Sequence, residues 1–301
     1  MRIPVFAAAF ILAASFSGGA MAGMPVKQKM TCPIGGKGFE FTTTASYSIF
    51  GERPDGKPFG SWSFPLALPE CPDNGLVMYK DYDAAEVAKL EPLIASDAYQ
   101  ALRKDDTQYY RAYWLMREMN LGSESYLWAL LQASWEADGK PELKARYQSE
   151  LVAESAKVAP NAKDLNWVGM EGRAINALRE LGRFDDALAR LDALPPEVLA
   201  APAGPPAKGE AGEAARARAG WAAFFKKLRI AVERKDSASE PFDMLPEREW
   251  MNRCRAGEDL SEAQQAYCTA HAAALDEDRA AAAKLEREMK LIGDKREKSG
   301  R

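Results

Sequence analysis

Four cysteines (Cys32, Cys71, Cys254 and Cys268) and a single histidine, His271, have the narrowest chemical repertoire in this 301-residue chain. Structural zinc takes four thiolate or imidazole ligands, and catalytic zinc takes three with a water. One imidazole cannot furnish a multi-histidine centre within one chain, and a serine–histidine–aspartate relay would have to be built on His271. Near Cys254 and Cys268, His271 is the one candidate third ligand and no fourth follows, so a metal is not expected there. Asp and Glu total 44, and no carboxylate pair has a spacing that singles it out for acid–base work. Phosphate-cradling glycine loops, nucleophile elbows and zinc-protease helix motifs are absent from the sequence. Disulfide formation is the chemistry left to these residues. No catalytic residue and no cofactor is predicted.

Whether the thiols oxidise depends on the compartment. Residues 1–22 read as a signal peptide, with Arg2 as the positive region, Pro4 to Phe16 as the apolar region and Ala20-Met21-Ala22 as the cleavage site. The apolar run is too short to span a bilayer comfortably, and no later stretch reaches transmembrane length. An exported, periplasmic protein beginning at Gly23 is expected. In that oxidising setting an even number of cysteines points to disulfides. Four cysteines allow three connectivities, and position in the chain favours Cys32–Cys71 with Cys254–Cys268. A net charge of −4 argues against a nucleic-acid partner, which calls for a basic surplus.

The elements that must position these residues change character along the chain. Residues 23–82 are rich in Gly, Pro, Thr and aromatics. Phe39-Glu40-Phe41-Thr42-Thr43-Thr44 alternates as a strand does, Pro54-Asp55-Gly56 signals a turn, and Ser61-Trp62-Ser63-Phe64 offers a second alternating run. Cys32-Pro33-Ile34-Gly35-Gly36 and Cys71-Pro72-Asp73-Asn74-Gly75 share the pattern Cys-Pro-x-x-Gly. This layout resembles an uncharacterised bacterial family in which paired Cys-Pro-x-Cys-Gly knuckles form a zinc ribbon ahead of a tetratricopeptide-like helical region. The likeness continues weakly through Arg111 to Glu118 and Tyr126 to Leu131. Where that family has its second thiolates, this chain has Gly35 and Asn74, so two ligands remain and zinc is not expected. Two ligands of one zinc lie close together. The resemblance therefore implies that a Cys32–Cys71 disulfide replaced the metal.

From Asp83 the apolar residues follow a helical period. Helices are predicted near 83–90, 96–119, 123–137, 141–158, 163–181 and 184–194. Their boundaries are Pro92, Gly122, Gly139-Lys140-Pro141, Pro160, Gly182 and Pro195-Pro196, with Ser123 and Asp164 as N-caps. Short connections between helices favour an α-solenoid of antiparallel hairpins. Glu180-Leu181-Gly182-Arg183-Phe184-Asp185-Asp186-Ala187-Leu188, ahead of Pro195, resembles the turn and second helix of a tetratricopeptide repeat. That resemblance implies a concave groove on the preceding helix. There, Gly172, Asn176 and Arg179 share one face and could hold a partner peptide, unless the face is simply solvated. Tyr110, Trp114 and Arg117 share a face of the 96–119 helix, as a recognition surface or as interhelical packing.

Residues 196–214, rich in Ala, Pro and Gly, read as a linker. In the 215–301 region that follows, Ala215 to Arg234 forms an amphipathic helix whose stripe of Trp221, Phe224, Phe225, Leu228 and Val232 docks on the body or on a membrane. Cys254 and Cys268 enclose a helical hairpin, Ser261 to Gln264 forms a capping box, and residues 276–301 project into solvent, with Glu286 and Lys290 spaced to pair. The predicted protein is a mainly α, exported adaptor that binds a protein or peptide partner in the envelope. The alternative is a protein that binds or processes cell-wall glycan or peptide on an aromatic and carboxylate surface.

Overall fold

The computed structural model describes residues 23–200 and 209–299. The predicted signal peptide, residues 1–22, lies outside them, as does 201–208 of the predicted linker. Two small antiparallel hairpins open the described chain. Strand β1 (Pro25–Thr31) pairs with β2 (Gly38–Thr44), and β3 (Ile49–Glu52) pairs with β4 (Pro58–Gly60). The alternating, β-branched run at 39–44 forms β2 as its pattern predicts. The run at Ser61–Phe64 does not form a strand. The second ladder stops where the Ser61 amide donates to the Ser48 carbonyl at 3.0 Å, and Pro65 has no N–H with which to extend it.

Twelve α-helices follow among the described residues. Helix α1 (Ala84–Ala95) runs through Pro92 instead of ending there, because proline in the last turn forfeits a single ladder bond. The predicted helix 96–119 is two helices, α2 (Asp97–Asp105) and α3 (Gln108–Glu118). Asp106 and Thr107 are extended between them. The Tyr147 hydroxyl fixes this break by accepting from the Thr107 amide at 3.2 Å and donating to Asp106 at 2.8 Å. Helix α4 (Ser123–Glu136) begins at Ser123, the residue expected to cap it, with Gly122 as the N-cap and no side-chain cap bond. Helix α5 spans Pro141–Ser155. Helix α6 (Leu165–Glu180) is capped by Asp164, whose carboxylate accepts from the Asn166 amide at 2.9 Å.

Helix α7 (Phe184–Asp192) returns from α6 across Gly182, and Ala187 is fully buried where the two meet. The expected linker is partly ordered helix: α8 covers Pro196–Leu199 and α9 covers Glu210–Glu233. The stripe of α9 is buried against α6, α7 and α8, with Phe225, Leu228 and Val232 in one core with Ile175 and Leu191. Each of these three side chains contributes about 1.5–3 kcal/mol by leaving water. Docking on the body is thus the observed placement of this helix.

After a 3-10 turn at Phe242–Met244 come α10 (Glu247–Ala256), α11 (Glu262–Ala270) and α12 (Ala272–Ser299). Both halves of the Ser261–Gln264 capping box are present. Phe242, Trp250 and Met251 form a small core beside Cys254, Tyr267 and Cys268. The cysteines pair at disulfide distance in the favoured connectivity, with Cα separations of 5.6 Å for Cys32–Cys71 and 5.5 Å for Cys254–Cys268. Among the described residues no helix is long and apolar enough to cross a membrane. The expected Glu286–Lys290 pair falls on side chains outside the described set.

Candidate functional site

Gly172, Asn176 and Arg179 do share one face of α6, and that face is neither an open groove nor solvated. Helix α9 lies on it. A Cβ placed on Gly172 would come within 3.0 Å of the Trp221 ring and 3.2 Å of Phe224, so the glycine is what allows the helices to approach. Asn176 and Arg179 are both wholly buried. The Arg179 guanidinium donates to the Asn176 side-chain oxygen at 2.9–3.0 Å and to the carbonyls of Asp236 and Ala238 at 2.5 and 2.7 Å. Burial pushes this guanidinium below its usual range, opposed by Glu180 and Asp236. The predicted ligand donors are spent within the chain, holding the segment after α9 in place.

Tyr110 and Trp114 serve interhelical packing, and Arg117 lies exposed at the edge of that packing. Tyr110 stacks on Tyr147 of α5 with 4.4 Å between centroids, and Trp114 packs against Tyr99 of α2 at 5.8 Å. Glu150 of α5 accepts from the hydroxyls of Tyr110 and Tyr113 at 2.8 and 2.6 Å, and Arg117 donates to the Tyr113 hydroxyl at 2.9 Å. Burial, reinforced by hydrogen bonding to Glu150, raises both phenols above their ordinary range.

The two Cys-Pro-x-x-Gly segments are structural twins. In each, the cysteine amide donates at 2.9 Å to the carbonyl five residues on, Lys37 in the first and Leu76 in the second. The Asn74 amide bridges them by donating to the Ile34 carbonyl at 3.0 Å. Donors from α2 and α3 cover the second knuckle: Arg103 takes the carbonyls of Pro72 and Asp73, Gln100 takes Asn74, and Tyr99 and Arg111 take Gly75. Arg111 is itself held by both oxygens of Glu70. Among the described residues no group of three or more His, Cys, Asp or Glu side chains is placed to hold a metal ion.

A larger concavity lies elsewhere. A cleft of about 930 Å³ opens between the β3–β4 hairpin, α6, α9 and α10. Phe50 and Phe59 project from the hairpin beside it and are 67% and 50% exposed, although aromatic side chains this large are usually buried. Arg173, Phe224, Met244 and Arg248 line the facing side.

The turn at Pro54-Asp55-Gly56 sets the hairpin's position. It is buried in the helical body instead of lying on the surface. The Trp135 indole donates to the Asp55 carbonyl at 3.2 Å, and Arg173 donates to the Pro54 carbonyl at 2.7 Å. The Arg173 guanidinium lies so close over Gly56 that a Cβ there would stand 2.6 Å from Nε. On its other side it stacks over Trp221 and Phe224 at 5.0 and 5.2 Å. Burial pushes Arg173 below its usual range, only partly offset by Glu52 and Asp55.

A second anchor is Asp138, after α4. Its carboxylate accepts from Arg53 at 2.8 and 3.1 Å, from Lys57 at 2.7 Å and from Lys144 at 2.9 Å. Burial alone would raise this carboxyl, but the three cations outweigh it and hold the group well below the ordinary carboxylate range.

Charges across the cleft are largely paired, Arg253 with Glu240 at 2.6 Å and with Glu249 at 3.3 Å. Exposed Arg248 has no ion-pair partner among the described residues. Two exposed phenylalanines, a cation without an ion pair and a sheet of two strands among the described residues thus border the cleft. Sequence reading identified the Pro54-Asp55-Gly56 turn but not Phe50 and Phe59 beside it. The available signal was two aromatics flanking a turn in strands too short to bury them. Comparison with protein-family models, with curated proteins and with solved structures returned no match.

Proposed function

We propose that this protein is an exported helical adaptor that binds an extended segment of a protein partner in the cleft beneath β3–β4. The observation that carries the reading is the pair Phe50 and Phe59, exposed on a hairpin whose tip is locked into the body. Rigid aromatic anchors lose little entropy on binding and concentrate binding energy. Because the β3–β4 sheet has two strands, a partner strand can add along an outer edge while its apolar side chains meet the phenylalanines. Arg248 favours a partner carboxylate beside that apolar segment.

The same proposal includes periplasmic location, supported by the N-terminal leader pattern and the two cysteine pairs. It includes descent from a zinc ribbon, supported by the twin knuckles and by Asn74 and Gly35 at the positions of the missing thiolates. It also includes a tetratricopeptide-like solenoid, supported by the sequential packing of α3 through α7 and the α6–α7 turn.

A photo-crosslinking amino acid at position 50 tests the function in envelope preparations, with position 199, exposed on α8, as the control site. The expected result is one dominant adduct from position 50 that maps to an extended apolar segment. It should weaken about tenfold with Phe59→Ala and with Arg248→Glu. Equal labelling from both positions, or a glycan adduct with no protein, overturns the reading.

A further inference from the structure

A separate cavity of about 90 Å³ lies where the first turn of α4, the last turn of α5 and the start of α6 converge. It shares no lining residue with the cleft beneath β3–β4. Two of the chain's seven tryptophans, Trp128 and Trp167, line it together with Leu127, Val158 and Met170. Its polar lining carries one sign only. Glu124, Asp164 and Glu171 are present, and no lysine, arginine or histidine contributes.

The three carboxylates differ in what they leave available. Glu171 is already neutralised by Arg190, which donates to both its oxygens at 2.5 and 2.7 Å and to the Ser155 hydroxyl at 3.0 Å. Asp164 caps α6 and has no ion pair among the described residues. Exposed Glu124 likewise has none, so the mouth of the cavity retains negative charge beside an aromatic and aliphatic interior. An indole face attracts a cation, most strongly where water is displaced, and carboxylates at the rim add to that attraction. A neutral apolar group would gain from the interior alone.

Size limits the ligand. The cavity holds the liquid volume of roughly three water molecules at about 30 Å³ each. That suits a small head group and is far below the space a whole cofactor needs. We propose that this cavity binds the alkylated ammonium group of a free small molecule, seated between Trp128 and Trp167 with its tail leaving past Glu124. Glu124 and Asp164 at the rim oppose an adjoining phosphate, while the N-terminal amides of α4 and α6 favour one, so phosphocholine is the discriminating competitor.

Isothermal titration of the whole protein at constant ionic strength tests this assignment. The probes are choline, its uncharged carbon isostere 3,3-dimethylbutan-1-ol, and phosphocholine. Choline is expected to bind saturably, with the isostere and phosphocholine each at least about tenfold weaker. Trp128→Leu should weaken choline at least about tenfold. Glu124→Gln, an exposed change that leaves packing intact, should weaken choline about threefold and leave the isostere unaffected. Absence of saturable choline binding, an isostere or phosphocholine that binds as tightly as choline, or an unaltered choline affinity in Glu124→Gln overturns the assignment. These outcomes are independent of crosslinking at position 50.

Discussion

Buried polar residues in this protein take roles that side-chain type alone does not disclose. Arg179 is a cation without a water contact, and four acceptor bonds hold it to Asn176, Asp236 and Ala238. Arg179→Ala would strand those acceptors and leave a void, so the expected loss is about 3–4 kcal/mol, measured by urea unfolding. Loss of partner binding in that variant would therefore report unfolding and not a groove contact. Asp138 gives a pH signature. Its carboxyl is held below the ordinary value of 3.8, so its stabilising contribution is complete above that value and is lost as pH falls through the depressed one. Asp138→Asn should lower stability at pH 6 by about 1–2 kcal/mol, a modest figure because the carboxylate keeps part of its solvent contact. The variant's stability should also fall less steeply below pH 4. Denaturant midpoints at pH 3 and pH 6 check both. From sequence, the i, i+4, i+7 spacing placed Gly172, Asn176 and Arg179 on one face of α6 correctly. It could not say what covers that face, because a polar stripe that satisfies itself under another helix has the same pattern as one facing water.

At the scale of elements, legibility followed how local the cause is. The Asp164 cap, the Ser261–Gln264 box and the α6–α7 turn depend on neighbours within a few residues, and the sequence discloses them. The break between α2 and α3 has a local part, Thr107, whose side chain accepts from the Tyr110 amide at 3.4 Å as the cap of α3, and a distant part, Tyr147, forty residues away in the chain. The second knuckle also depends on distant donors, with Arg103 and Arg111 supplementing the Cys32–Cys71 bond. Removing that bond with the double variant Cys32→Ser, Cys71→Ser opens a loop of 39 residues. Loop entropy alone predicts a loss of roughly 4 kcal/mol. The helical donors remain, so the knuckles should loosen before the helices unfold. Hydrogen exchange should therefore rise first at the backbone amides of positions 32 and 71, ahead of any change in helical circular dichroism.

Across the whole molecule, α6 is the common support. Arg173 holds the β3–β4 turn, Gly172 admits α9, and Arg179 fixes the chain that leads to α10. The sequence suggested a linker at 196–214 and a C-terminal region beginning at 215, yet α9 is part of the central core. A chain ending at residue 200 would expose the apolar surfaces that Phe225, Leu228 and Val232 cover. Their combined contribution, at about 1.5–3 kcal/mol each, rivals the net stability of an ordinary domain. Such a fragment should bind a hydrophobic dye and melt without a cooperative transition, whereas the full chain should melt sharply. The buried turn at Pro54-Asp55-Gly56 also bears on handling the protein. Proline, aspartate and glycine in a row invite an epitope tag, a fluorophore or a protease cut, and here any of these would pry the hairpin from its seat beside Trp135.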